Sequence, residues 1–302
     1  MTKTFALPDV PEHIEHRIRL RDGRTLAIAE WGDPGGLPVF SCHGTPGGRI
    51  SWWNDLTIYQ RHGIRRLTVD RPGYGDSTRL PGRRVADFVA DVEDAADALG
   101  IASFAVTGGS GGGPHGLALA ALLPDRVVRC QVSVSIAPYG KPGLDWLAGM
   151  TEGNVIEFQA AMAGEAAMRE VAEREREHAL TQLSAGRADF TSDAYAIPES
   201  DLEQMERHHA SIAAQMLYGL MNNADGWVDD NLAFAKPWGF EVESIRVPVY
   251  LQYGRDDTLV PAAHGDWLAA HVPGATVEVL EAGHMGDDAS VEHDMAWLAG
   301  RA

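Results

Sequence analysis

The chain has 302 residues, 45% hydrophobic and 23% charged, an ordinary composition for a globular protein with enough apolar material for a large core. Its 43 Asp+Glu against 25 Lys+Arg leave a formal net charge of −18. That speaks against nucleic acid or an anionic membrane as the main partner, since both demand a basic face. No run of about 18 apolar residues predicts a membrane-spanning helix. The opening MTKTFALPDVPEH also lacks the continuous apolar core of a secretory signal. With two cysteines, Cys42 and Cys130, no disulfide framework is expected, and a reduced cytoplasmic setting fits.

HRIRLRDGR alternates apolar and charged residues up to a turn at Asp22 and Gly23, and TLAIAEWG returns, predicting two antiparallel strands. VFSCH and RRLTVD read as short buried strands. Between them ISWWNDLTIYQRHG reads as an amphipathic helix ending on Gly63. VADFVADVEDAADALG then repeats apolar residues at helical spacing up to Gly100. Strand FAVTG, helix PHGLALAALL and strand RCQVSVSI follow. This cadence implies right-handed βαβ units around a mostly parallel sheet. It breaks after Ala137, and from Pro138 to about Pro237 only helical patterns occur. It resumes with strand VPVYLQYG, helix AAHGDWLAAHV, strand TVEVLEAG and helix SVEHDMAWLAG. One α/β domain, residues 1–137 and 238–302, is therefore expected to carry an inserted helical block, residues 138–237.

FAVTGGSGGGPHG, residues 104–116, places one serine among five glycines between a strand and a helix. A serine exposed on a sharp strand-to-helix turn needs strained dihedrals, and side chains two positions away on either side would collide. Gly108 and Gly112 remove that collision, so Ser110 is the candidate nucleophile. A hydroxyl needs a base, and the base an orienting carboxylate. His284, in LEAGHMG after a strand, is the candidate base, and Asp256 and Asp257 in YGRDDTLVP are the carboxylate candidates. Each follows the carboxyl end of a predicted strand, where open parallel sheets bind ligands. Cys42 reads as a small buried strand residue rather than a nucleophile or metal ligand. His208 and His209 are adjacent and do not share a helix face, so no metal site is predicted, and no cofactor is expected.

These residues resemble the α/β-hydrolase fold enzymes, with their order Ser, acid, His. The resemblance spans nearly the whole chain: HGTPGG (43–48), DRPGYGDS (70–77), the turn at Ser110, GRDDTLVP (254–261) and Gly283–His284. It implies an eight-stranded, mostly parallel sheet with a helical cap. It also implies Asp257 as the acid, three residues after Gly254. The oxyanion hole it implies is built from the backbone N–H groups of Thr45 and Gly111, with the Thr45 hydroxyl a further group near the substrate. A serine at 110 points away from the dehalogenase and epoxide hydrolase branches, whose nucleophile is aspartate. What remains is hydrolysis of a small-molecule ester, lactone or amide by water, with no cofactor. A proline iminopeptidase-like aminopeptidase and a ligand-binding or signalling protein of the same fold are the alternatives. His43 is expected to brace its loop, as are Asp70 and Arg71, while His115 is open to either core or cleft. Candidate pocket residues are His43, Trp52, Trp53, His115, Trp146 and Trp227. The glutamates of the insert (Glu152, Glu157, Glu165, Glu170, Glu173) read first as a solvated helix face and second as a site for a substrate's amino terminus. A homodimer is compatible with the sequence.

Overall fold

A computed structural model describes residues 8–187 and 193–301; residues 1–7 of the MTKTFALPDVPEH opening, read above as lacking a signal's apolar core, lie outside them. The eight strands are β1 (Ile14–Arg19), β2 (Thr25–Gly32), β3 (Leu37–Cys42), β4 (Ile64–Val69), β5 (Phe104–Gly109), β6 (Val127–Ser133), β7 (Val249–Gly254) and β8 (Thr276–Leu280). They form one sheet in the order β1-β2-β4-β3-β5-β6-β7-β8, antiparallel at β1/β2 and β2/β4 and parallel elsewhere.

Period-two alternation feeds both faces of this sheet. Phe40 and Phe104 pack edge to face at 4.8 Å on one side, beneath α2 (Phe88–Ala98), α3 (Gly113–Leu122) and α9 (Ala262–His271). Val39 and Ala105, one residue away, face the opposite side with α1 (Thr57–His62) and α10 (Asp288–Leu298). Both faces are covered, and the central strands bury apolar residues on each side together with a few polar ones such as Ser41, Thr68, Gln131 and Gln252.

The predicted helix over 50–63 is shorter in the structure. Asp55 caps Thr57 by accepting its backbone N–H at 3.0 Å, so α1 starts at 57, and residues 50–56 form a loop. Its C-terminus is Gly63 at φ 63°, a left-handed cap that glycine adopts without steric cost. Between β6 and β7 lie α4 (Glu152–Ala163), α5 (Glu165–Ser184), α6 (Glu199–Arg207), α7 (His209–Leu220) and α8 (Asp225–Phe234). Their apolar faces meet in a second cluster that includes Met168, Leu180, Leu217 and Trp227. No helix among the described residues is long and apolar enough to cross a membrane.

Strand order positions the site. The chain passes from β3 outward to β4, then back across to β5 on the other side of β3. The loops leaving β3 and β5 therefore diverge and open a crevice at the carboxyl edge, where parallel sheets bind ligands. Cys42 and Gly108, at the ends of those two strands, are paired in register.

Candidate active site

Ser110 sits in this crevice with φ 53°, a left-handed conformation that non-glycine residues rarely adopt. The neighbouring glycines are required by close approaches. A Cβ on Gly108 would lie 2.5 Å from the Gly112 carbonyl oxygen, and one on Gly112 would strike the Cys42 carbonyl. A Cβ on Gly111 would run into the Thr45 side chain and lie 3.0 Å from the Thr45 nitrogen. The turn carrying Ser110 thus rests directly on the loop after β3, and the two backbone amides implied as anion donors are neighbours.

Asp257 follows β7 and is 4% exposed. Its Oδ1 accepts the backbone N–H groups of Leu259 and Val260, each at 2.8 Å. Its Oδ2 lies 2.7 Å from His284 Nδ1. Asp256, the other candidate, is exposed and makes its contact through its backbone N–H, to the Ala282 carbonyl, so the geometry selects Asp257. Burial by itself would lower the His284 pKa. The charge and hydrogen bond of Asp257, with the charge of Asp201, outweigh it and raise the pKa above the ordinary histidine value. With Nδ1 engaged, Nε2 is the nitrogen left for chemistry. Ser110 and His284 line one cavity, and no hydrogen bond joins Ser110 Oγ to His284 Nε2 among the described residues. Catalytic hydrogen bonds are often long without substrate and tighten in the complex.

The loop after β3 is held from beneath. Asp230, on α8 and fully buried, accepts hydrogen bonds from Arg71 (2.6 Å), Arg83 (2.6 Å), Tyr74 (3.0 Å) and the Thr45 hydroxyl (2.6 Å). Arg71 also donates to the His43 and Gly44 carbonyls and to Thr45 Oγ1. Burial would raise the Asp230 pKa, but the two guanidinium groups hold it well below the usual carboxylate range.

Residues 38–286 match the family described as the alpha/beta hydrolase fold. The chain belongs to that family. It is 27% identical to a non-heme chloroperoxidase of Streptomyces lividans, over 82% of this chain and 83% of the relative. It is 28% identical to a proline iminopeptidase of Neisseria meningitidis serogroup B, over 86% of each. The solved enol-lactonase from Burkholderia xenovorans LB400 superposes with a TM-score of 0.68 at 19% identity, covering 95% of this chain and 99% of that one.

In this alpha/beta hydrolase the crevice opens into a cavity of about 420 Å³. Trp53 and Trp227 line it; four other candidates do not. Trp52 is buried on the other side of its loop, where its backbone N–H and carbonyl both bond the Ser211 hydroxyl. Trp146 packs edge-on against Phe158 at 4.4 Å and donates Nε1–H to the Ala137 carbonyl. His43 accepts the Arg71 backbone N–H on Nε2, with Nδ1 2.6 Å from the Gly44 carbonyl, so it braces the loop. His115 is fully buried beside Asp230 and Phe88, and burial followed by the charge of Arg71 keeps it neutral. The Thr45 hydroxyl donates to Asp230 and accepts from Arg71. Burial pushes the Cys42 thiol up to about 12, so it is not a thiolate at neutral pH.

Three carboxylates line the cavity (Glu157, Glu175 and Asp294), and no lysine or arginine does so among the described residues. Glu152, Glu165 and Glu170 face solvent as expected of a charged helix face, but Glu157 is buried. Tyr195, Trp227 and Asn231 each donate to it, and all three are uncharged. Burial pushes its pKa up to about 7 against those three hydrogen bonds.

Asp230→Ala removes the carboxylate that Arg71 and Arg83 share and leaves both guanidinium groups buried without it. It is expected to lower the unfolding free energy by about 3–5 kcal/mol, read as a reduced urea midpoint.

Proposed function

We propose that the protein is a serine hydrolase that cleaves a small-molecule carboxylic ester or related acyl bond through an acyl-enzyme on Ser110. The observation that carries this reading is the strained Ser110 turn sharing one cavity with a His284 already oriented by a buried Asp257. His284 Nε2 takes the hydroxyl proton as Ser110 Oγ adds to the carbonyl carbon. The oxyanion of the tetrahedral intermediate is met by the backbone N–H groups of Thr45 and Gly111, where each donor contributes about 10²–10³-fold in kcat. His284 then gives the proton to the leaving group. Water, deprotonated by His284, attacks the acyl carbon; the bond to Ser110 Oγ breaks, His284 returns the proton to that oxygen, and the acid is released. Asp257 holds the imidazole in its tautomer and stabilises the imidazolium.

Helices α4–α8, within residues 138–237, form a cap over this chemistry in the same reading, since Trp227, Met216 and Met205 close the cavity opposite the sheet. Among the described residues the cavity has three carboxyl groups and no lysine or arginine. Burial pushes Glu157 up to about 7 and Asp294 up to about 8, so both are largely neutral below pH 7. The lining suits a neutral substrate and offers an acidic one no cationic partner. A second reading, an aminopeptidase acting on aminoacyl substrates, is supported by the same observation. The buried Glu157, with Glu175 nearby, is a group that an incoming ammonium would neutralise.

Ser110→Ala is expected to reduce kcat/KM for p-nitrophenyl acetate by roughly 10⁴-fold or more with the fold intact; parent-like turnover would sink the nucleophile assignment. Because His284 works as a neutral base and its pKa is raised, kcat/KM should rise with pH through a limb centred above 6.5. A limb at or below that value contradicts the Asp257–His284 pairing. Under the aminopeptidase reading, proline p-nitroanilide is hydrolysed, and Glu157→Gln raises its KM while leaving ester hydrolysis nearly unchanged. The parent's KM for it should also fall as pH climbs through about 7 and Glu157 ionises. Ester turnover without any anilide turnover removes that reading.

A further inference from the structure

Helix α6 reaches across to the loop that carries His284. Asp201, in its first turn, is 1% exposed. Its Oδ2 accepts the backbone N–H of His284 at 2.9 Å, and its Oδ1 accepts that of Met285 at 2.9 Å. The residue before the histidine is fitted to this clamp, since a Cβ on Gly283 would lie 2.5 and 2.6 Å from the two carboxylate oxygens. Gly283 is thus the surface on which the Asp201 carboxylate sits. Among the described residues no lysine or arginine forms an ion pair with Asp201. The charged groups that act on the His284 ring are Asp257, from the loop after β7, and Asp201, from α6.

We propose that Asp201 is a positioning residue for His284, a carboxylate of the helical insert that holds the 283–285 backbone so that the imidazole faces both Asp257 and Ser110. The inference rests on the acyl-transfer reading above. The loop between β8 and α10 is tied to the loop after β7 at Ala282, whose carbonyl accepts the Asp256 N–H, while the backbone N–H groups of His284 and Met285 are held by Asp201. A base displaced by about 1 Å loses on the order of 10²-fold in rate. A bidentate clamp on two consecutive amides fixes both the position and the direction of the segment between them. Two hydrogen bonds to a buried charged acceptor are also individually strong.

The test compares two variants that disturb the clamp differently. Asp201→Asn keeps the shape but replaces one acceptor with an NH2 group facing an amide N–H, and it removes the charge. Gly283→Ala keeps the charge but pushes the carboxylate off the backbone. With p-nitrophenyl acetate, both are expected to lose about 10–100-fold in kcat with KM within about threefold of the parent. The acid limb of kcat/KM should move to lower pH in Asp201→Asn, where an anion favouring the imidazolium has gone, and stay in place in Gly283→Ala. Thermal melts confirm that each variant is folded at the assay temperature, and either one alone decides the kcat criterion. Parent-like kcat, or a raised KM with kcat intact, overturns the proposal. Ser110→Ala is assayed alongside. If it is inactive while Asp201→Asn matches the parent, only the role of Asp201 fails; if it is active, the acyl-transfer reading fails instead.

Discussion

A Cβ on Gly112 would strike the carbonyls of Cys42 and His43, and one on Gly111 would strike Thr45. The turn after β5 therefore meets the loop after β3 backbone to backbone at Gly112 and against the Thr45 side chain at Gly111, with no side chain of the turn between them. That contact keeps Ser110 in a left-handed conformation that costs on the order of 1–3 kcal/mol for a residue with a Cβ. It also brings the Thr45 and Gly111 amides together beside the hydroxyl. Both loops are delivered by adjacent parallel strands whose connections diverge, so the crevice is a consequence of strand order rather than of any single side chain.

What keeps that contact in place comes largely from outside the sheet. Asp230 belongs to α8, yet it ties Thr45, Tyr74, Arg71 and Arg83 into one buried cluster. The Arg71 nitrogens all find acceptors, whereas Arg83 reaches Asp230 and Pro72 through Nη2 alone, its Nε and Nη1 having no hydrogen-bond partner among the described residues. The mutual attraction of the buried charges therefore carries much of what holds the cluster. Asp201, on α6, grips the opposite rim of the crevice at His284 and Met285. Two carboxylates on helices between β6 and β7 thus contact two loops at the carboxyl edge of the sheet. The helices between β6 and β7 are tied to both rims of the crevice, α8 at the loop after β3 and α6 at the loop that carries His284.

The readable parts of the site were those with local chemistry. Gly108, Ser110 and Gly112 announce a strained turn because steric collision is a property of a few adjacent residues. His284 and Asp257 follow strands that alternate clearly in the sequence. Side chains whose role depends on which way they face were not readable. Trp52 and Trp53 are neighbours in a loop. One packs inward, with its ring 6.0 Å from that of Trp31, and the other lines the cavity and lies 4.1 Å from the His208 ring. Their order along the chain carries no information about which does which. Glu157 sits in a helix among solvated glutamates and shares their spacing, but it is buried because Tyr195, Trp227 and Asn231, from distant segments, converge on it.

The sequence by itself determined the alternation of strands and helices and the interruption after Ala137, and it nominated Ser110 and His284, with Asp256 and Asp257 both candidates for the acid. Each of these is written in hydrophobic period or in the steric needs of adjacent residues. Only the tertiary structure decided that His115 is buried in the core rather than facing the cleft, that Asp257 rather than Asp256 meets the imidazole, and that Asp201 and Asp230 contact the loops. Those outcomes depend on distances between residues far apart along the chain. Hydrogen bonding and burial act through such distances, and a one-dimensional pattern does not contain them.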